Sequence, residues 1–194
     1  ASLAADAEFH HNSFDLGGLL TRNDVVANLL GRGAAVSLNG LYLASGDRHI
    51  DNHTKICHDT GPTISNEEYR GILGGRSQCI FNGKVIVAEG ADGTDSSQSN
   101  HNLLLSDRAE IDTKPELEIY ADDVKCAHGA TVGQLDKAAL FYLQSRGLDP
   151  EEARQVLTRA FAAGTLAELT IDTCHDHLAA LLDSRLETLV GDVQ

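Results

Sequence analysis

Cys126 and His128 lie two residues apart, where the pattern of the chain changes. A thiolate and a neutral imidazole are donors for zinc, copper and iron. The run Lys114–Gly133 reads as strand, turn, strand, turn. Leu117 and Ile119 alternate with Glu116, Glu118 and Tyr120, the period of a half-buried strand. Asp122 and Asp123 break the pattern as turn residues do. Val124 and Cys126 restart it, and Gly129 would let the chain bend directly after His128. Alternation puts Cys126 on the buried, Val124 side, where a thiol also serves as a small core residue. His128 shares that parity unless the chain turns at Gly129. The residues alone therefore leave His128 as a ligand or as a plain histidine beside a turn.

Three other clusters hold ligand-type side chains. His49, Asp51 and His53 share one face of a strand. They suit a metal or a base-and-orienter pair, or simply the polar outer face of a β coil. No third close ligand is fixed by spacing, so this face is expected to hold no structural metal. Cys57 and His58 are adjacent and so point to opposite faces; Cys57 reads as a buried structural residue. A stand-alone metal-dependent enzyme using His49, Asp51, His53 and His58 is one competing reading, and a purely structural β-solenoid without a site is the other. In Cys174-His175-Asp176-His177, a helix would put Cys174 and His177 on one face and His175 elsewhere, a pattern for adventitious metal binding only. No nucleophile elbow, P-loop or Rossmann glycine signature occurs, so the chain is not expected to hydrolyse ATP. Nine Phe and Tyr and no Trp offer few stacking platforms for sugars.

These residues need elements to hold them. Val36-Ser-Leu38 and Leu41-Tyr-Leu43 flank Asn39-Gly40, and Cys79-Ile-Phe81 and Val85-Ile-Val87 flank Asn82-Gly83. Each Asn-Gly reads as a tight turn between strands. On pattern alone, antiparallel hairpins in a sandwich or barrel come first. The likeness of the two units, 43 residues apart, also suggests two coils of a solenoid. Thr21–Leu30 suits a short helix or a strand. The polar run Gly90–Asn102 reads as a linker, or as Asn and Gln ladders along successive coils. From Leu135 the period turns helical: Leu135, Ala138, Ala139, Tyr142 and Leu143 form a stripe, and Gly147 is placed as a helix-ending glycine. Asp149-Pro150-Glu151-Glu152 is a helix start, followed by the stripe Val156, Leu157, Ala160 and Phe161. A break is expected at Gly164, then a last helix over about 166–190, interrupted near Thr173. The helices would cover an open strand edge.

The 194 residues suit one domain with a small appendage. A formal charge of −14 argues against binding nucleic acid. No apolar run approaches a membrane span and no signal peptide is evident. Four well-separated Cys without C-x-x-C spacing suit a reducing, cytoplasmic setting. The absence of Met leaves the chain without an initiator residue, so a piece of a longer protein is expected.

Longer motifs carry a family resemblance across nearly the whole chain. They are Tyr120-Ala-Asp-Asp-Val-Lys-Cys-Ala-His-Gly-Ala-Thr-Val-Gly133, His49-Ile-Asp-Asn-His-Thr-Lys-Ile-Cys-His58, Tyr69-Arg-Gly-Ile-Leu73, Phe81-Asn-Gly-Lys84, Gln98-Ser-Asn-His-Asn-Leu-Leu-Leu-Ser106 and Leu140-Phe-Tyr-Leu-Gln-Ser-Arg-Gly147. In this order they resemble the C-terminal half of the SufD family, subunits of the SufBCD iron–sulfur cluster assembly complex. The sister SufB family has Glu-His-Glu-Ala-Thr where this chain has Ala127-His-Gly-Ala-Thr131. The resemblance implies a mainly β fold: a right-handed parallel β-helix over 1–133, then a small C-terminal α-helical domain over 134–194. It also implies a missing N-terminal half. It favours a strand at Thr21–Leu30 and places the solenoid ahead of the sandwich. It implies a non-catalytic scaffold that pairs with SufB through the β-helix and with the ATPase SufC through the helices, on the side of Leu140, Phe141, Tyr142, Arg146 and Gly147. It puts His128 at the SufB contact, donating to iron beside a partner thiolate, with Cys126 a weaker candidate. No cofactor is expected to stay on this chain alone; the cluster would form transiently in the complex. The end left open by the missing coils could pair with a second copy.

Overall fold

A computed structural model describes residues 1–167, 169 and 172–191. Ten strands come first: β1 (Ser2–Leu3), β2 (Glu8–Asp15), β3 (Leu20–Leu29), β4 (Ala35–Ala44), β5 (His49–His58), β6 (Ile64–Leu73), β7 (Gln78–Val87), β8 (Asp95–Leu104), β9 (Glu110–Ile119) and β10 (Lys125–Gly133). Three helices follow: α1 (Lys137–Ser145), α2 (Pro150–Ala167) and α3 (Asp172–Gly191). The odd strands form one five-stranded sheet and the even strands another. All eight pairings are parallel. The chain thus alternates between two facing sheets, the architecture of a parallel β-helix of about five turns.

The coil is shorter than the 43-residue likeness suggests. Ala35 pairs with Ile64, and His49 with Gln78, each 29 residues on. Forty-three residues is close to a coil and a half, so β4 and β7 lie in different sheets. Asn39-Gly40 and Asn82-Gly83 are not turns. Both sit in mid-strand, and neither glycine has positive φ. Gly40 faces the Tyr69 ring on the next coil, and Gly71 faces the ring of Tyr42. Each glycine makes room for its neighbour's aromatic ring, and no hairpin results. The true corners use glycine differently. Gly46 and Gly75 both have φ of 63°, open to glycine at no steric penalty. They stack on each other, Arg76 N–H donating to Gly46 O at 2.8 Å.

In each strand every second side chain enters the lumen. Apolar residues fill most of it: Leu38, Tyr42, Ile50, Ile56, Tyr69, Phe81, Val85 and Val87 are all buried. The polar run 90–102 is no linker. From Asp95 it is β8, with Ser96, Gln98, Asn100 and Asn102 buried in the lumen. Thr21–Leu30 is a strand for all but its last residue.

α2 follows its sequence signal at its start and departs from it in its face. Asp149 Oδ1 accepts from the N–H groups of Glu151 and Glu152 at 2.9 and 2.8 Å, and Glu152 Oε2 accepts from Asp149 N–H at 3.0 Å. This reciprocal capping box satisfies otherwise orphaned helix-end donors. Gly147, with φ of 101°, follows the end of α1. α2 buries Ala153, Thr158, Ala162, Thr165 and Leu166 and leaves Val156 exposed, so its inner face is rotated from the expected stripe. Nor does α2 break at Gly164. A Cβ there would come within 2.5 Å of the Arg70 guanidinium carbon, so this glycine admits a side chain from the sheet. Arg70 donates to Phe161 O at 2.9 Å and to Glu68 Oε1 at 2.7 Å. The helix expected over 166–190 is not continuous: α2 ends at Ala167, Leu169 lies outside any helix and α3 starts at Asp172, so the break falls just before Thr173. Ala162, Leu166, Leu182, Leu186 and Leu189 form one apolar cluster with Leu41, Leu43 and Ile72 on the outer face of the even sheet.

Candidate functional site at the end of the solenoid

β10 is the last strand of the even sheet, paired on one side only, with β8. It runs straight through Gly129 to Gly133, so the bend expected after His128 is absent. Register then fixes the parity. Cys126 pairs with Ser96, which pairs with Ser65; His128 pairs with Gln98, which pairs with Glu67. Ser65, Ser96, Glu67 and Gln98 are all lumenal and buried. Register partners in a parallel sheet point the same way, so Cys126 and His128 continue two polar columns to the open end. Cys126 packs half-buried against the core, while His128 is exposed.

The first column is a chain of hydroxyls on a histidine. His58 Nδ1 meets Thr63 Oγ1 at 2.7 Å, its Nε2 meets Ser65 Oγ at 2.9 Å, and Ser65 Oγ donates to Ser96 Oγ at 2.8 Å. Burial lowers His58 to about 4, so the ring is neutral near neutrality. At the top, burial raises the Cys126 thiol, with Asp95 adding to the shift. That environment keeps sulfur protonated, the reverse of a reactive thiolate. The second column holds Glu67, whose Oε2 accepts from Gln98 Nε2 at 2.7 Å. Burial raises Glu67 to about 7, against the opposing pull of Gln98 and Thr54. The Thr54 hydroxyl faces this carboxyl without reaching hydrogen-bond geometry.

The other sequence candidates separate. Asp51 bonds Arg22 and lies 2.8 Å from His53 Nε2 on the outer face. His58 is in the lumen, across the sheet, so His49, Asp51, His53 and His58 do not converge. Cys57 is half-buried rather than buried. Cys174 and His177 are exposed on α3. Among the described residues no three His, Cys, Asp or Glu side chains gather as a metal-binding group. On α1, Phe141 is 73% and Tyr142 56% exposed, with Arg146 stacked 5.2 Å from the Tyr142 ring. Leu140 is half-buried beside a cleft of about 540 Å³ between α1, α2 and the β8–β9 corner. No helix among the described residues is long and apolar enough to cross a membrane.

Sequence reasoning did not single out Glu67 and Gln98. The available signal was parity. In Ile64–Leu73, Ser65 and Glu67 share the phase of Tyr69 and Leu73, but polar side chains at those positions look like an outer face.

Fold and site together define a helix-bearing parallel β-solenoid whose open end presents a thiol and an imidazole. Residues 1–161 match the family described as SUF system FeS cluster assembly, SufBD core domain, and the chain belongs to that family. It is similar to the iron–sulfur cluster assembly protein SufD of Escherichia coli, 39% identical over 95% of this chain and 44% of the relative. An iron–sulfur cluster assembly SufBD family protein of Synechocystis is 35% identical over 88% of this chain and 38% of the relative. SufD of Bacillus subtilis is 29% identical over 88% and 40%. The chain thus spans less than half the length of these relatives.

Proposed function

We propose that this chain is the C-terminal part of a non-catalytic SufD-type scaffold that helps assemble iron–sulfur clusters in the cytoplasm. It pairs with a SufB-like subunit through the end of the β-helix and with the ATPase SufC through the helices. The cluster is cargo, held in passing, and His128 is one of its donors. The observation that carries this reading is the position of His128: exposed, on the final strand, at the end of a lumenal column. A partner that continues the solenoid from β10 meets this imidazole first. Four cysteines without disulfides support a reducing compartment.

In the full-length protein, His128→Ala should leave the complex intact and impair cluster assembly in cells. An exposed imidazole contributes little packing, whereas cluster chemistry needs its donor. Cys126→Ala should cost roughly 1–2 kcal/mol through lost volume against the core and leave assembly working. Complementation, complex purification and thermal melts read both variants. Full complementation by His128→Ala would refute the ligand role, and loss of the complex would make His128 structural.

For the SufC contact, deleting 147–194 is a poor test, because α2 and α3 cover Leu41, Leu43 and Ile72. Phe141→Ser with Tyr142→Ser is cleaner, since α1 buries no residue. The pair should weaken SufC binding at least tenfold and shift the melting temperature little. Unchanged affinity would move the docking surface off α1.

A further inference from the structure

Two side chains in the lumen make poor sense as packing. Glu67 and Gln98 are 1% and 3% exposed, inside a core otherwise largely apolar. They satisfy each other once, Gln98 Nε2 to Glu67 Oε2 at 2.7 Å. Each then keeps an Oε1 that is buried without a partner. A buried unpaired acceptor is unfavourable by about 1–3 kcal/mol. The same column shows the apolar alternative one coil earlier, where Leu38 pairs in register with Glu67. The fold also reserves space for the amide. A Cβ on Gly83, across the lumen, would collide with Gln98 Nε2.

The amide is therefore oriented. Its Nε2 is committed to the carboxyl of the preceding coil. Its carbonyl Oε1 is the polar atom left for the following coil, about 4.8 Å further along the sheet. His128 occupies that next register position. A histidine that donates to a metal through one ring nitrogen carries its proton on the other, and the acceptor of that N–H sets tautomer and ring orientation.

We propose that Gln98, held by Glu67, is the positioning residue for His128: Gln98 Oε1 accepts the lumen-side ring N–H and leaves the outward nitrogen unprotonated, as a donor toward iron. Glu67 acts one step behind, fixing which end of the amide faces His128. This deepens the reading of His128 as a cluster donor and rests on it.

The test is the tautomer itself. The chain is labelled with ¹⁵N-histidine, and His128 is assigned by its loss in His128→Ala. At pH 8, wild-type His128 should show one tautomer, with well-separated ring nitrogen shifts. Gln98→Leu should collapse these toward the average of two tautomers. Glu67→Gln, which can still accept from Gln98 Nε2, should keep the wild-type pattern. Should Gln98→Leu not fold, Gln98→Met, linear and with only a weakly accepting thioether in place of the amide oxygen, replaces it. An averaged wild-type pattern, or a single tautomer surviving loss of the amide, overturns the proposal. In cells, Gln98→Leu in the full-length protein should lower cluster assembly about tenfold, a usual effect of losing the partner of a ligating histidine. Should His128→Ala complement fully, the donor role falls while the tautomer result stands or falls separately.

Discussion

Glu67→Gln should stabilise the chain by about 3 kcal/mol at pH 8 and by far less near pH 4. Burial holds Glu67 at about 7 in the folded chain, against a usual value of 4.5. Between those two values the folded state keeps a proton that the unfolded state has released. Stability therefore falls as pH rises from about 4.5 to about 7, then stays level. A gap near 2.5 units, at about 1.36 kcal/mol per unit, gives the 3 kcal/mol. Gln in its place carries no charge and can still accept from Gln98 Nε2. His58 tilts the balance the other way. Its folded value is lowered to about 4 by burial, from 6.5. Below 6.5 the unfolded chain gains a proton that the folded chain refuses, so stability falls as pH drops from 6.5 to 4. In the wild type the two slopes nearly cancel between 4.5 and 6.5. The variant should uncover the His58 slope, rising with pH up to 6.5 and flat beyond. Urea unfolding at pH 4.5, 6 and 8 reads this directly. A wild-type-minus-variant difference that does not change with pH would mean that Glu67 titrates normally.

The same two residues show where sequence reasoning stops. Strong local signals came through: Asp149-Pro150-Glu151-Glu152 is a capping box in the structure, because capping depends on three or four neighbouring residues alone. The parity of Cys126 and His128 was also legible, being a local property of a strand. The coil length was not. Polar strands such as β8 (Asp95–Leu104) read like connecting loops, and two mid-strand Asn-Gly pairs imitated turns. The face of α2 was misread because the helix buries small residues, Ala153, Thr158 and Ala162, and leaves the bulkier Val156 exposed. Gly164 looked like a break because nothing near it in sequence announces Arg70, 94 positions earlier. The polar lumen was hardest. Alternation reveals which side chains share a face, but only register across coils reveals that Glu67, Gln98 and His128 form one column.

Gly40→Ala should be among the most damaging small substitutions in the chain, at about 3 kcal/mol, the upper part of the range for overpacking. A Cβ at this position would lie 2.8 Å from Tyr69 Cζ and nearer still to Cε1 and Cδ1. The ring has no retreat. Tyr69 is buried and packs against Phe81, centroids 5.1 Å apart, and Phe81 is itself buried. Gly129→Ala is the control, because nothing lies within 4 Å of the added carbon and φ is not positive; its effect should stay within about 0.5 kcal/mol. A double-mutant cycle then identifies the cause. Tyr69→Leu opens a cavity and is destabilising alone, but in that background Gly40→Ala should lose most of its effect, with a coupling of about 2 kcal/mol. A glycine needed for its backbone freedom would behave differently, its substitution being equally costly whichever residue stands at position 69. Equal effects in both backgrounds, measured by urea unfolding, would return Asn39-Gly40 to the role of a turn and contradict the parallel register that places His128 above Gln98.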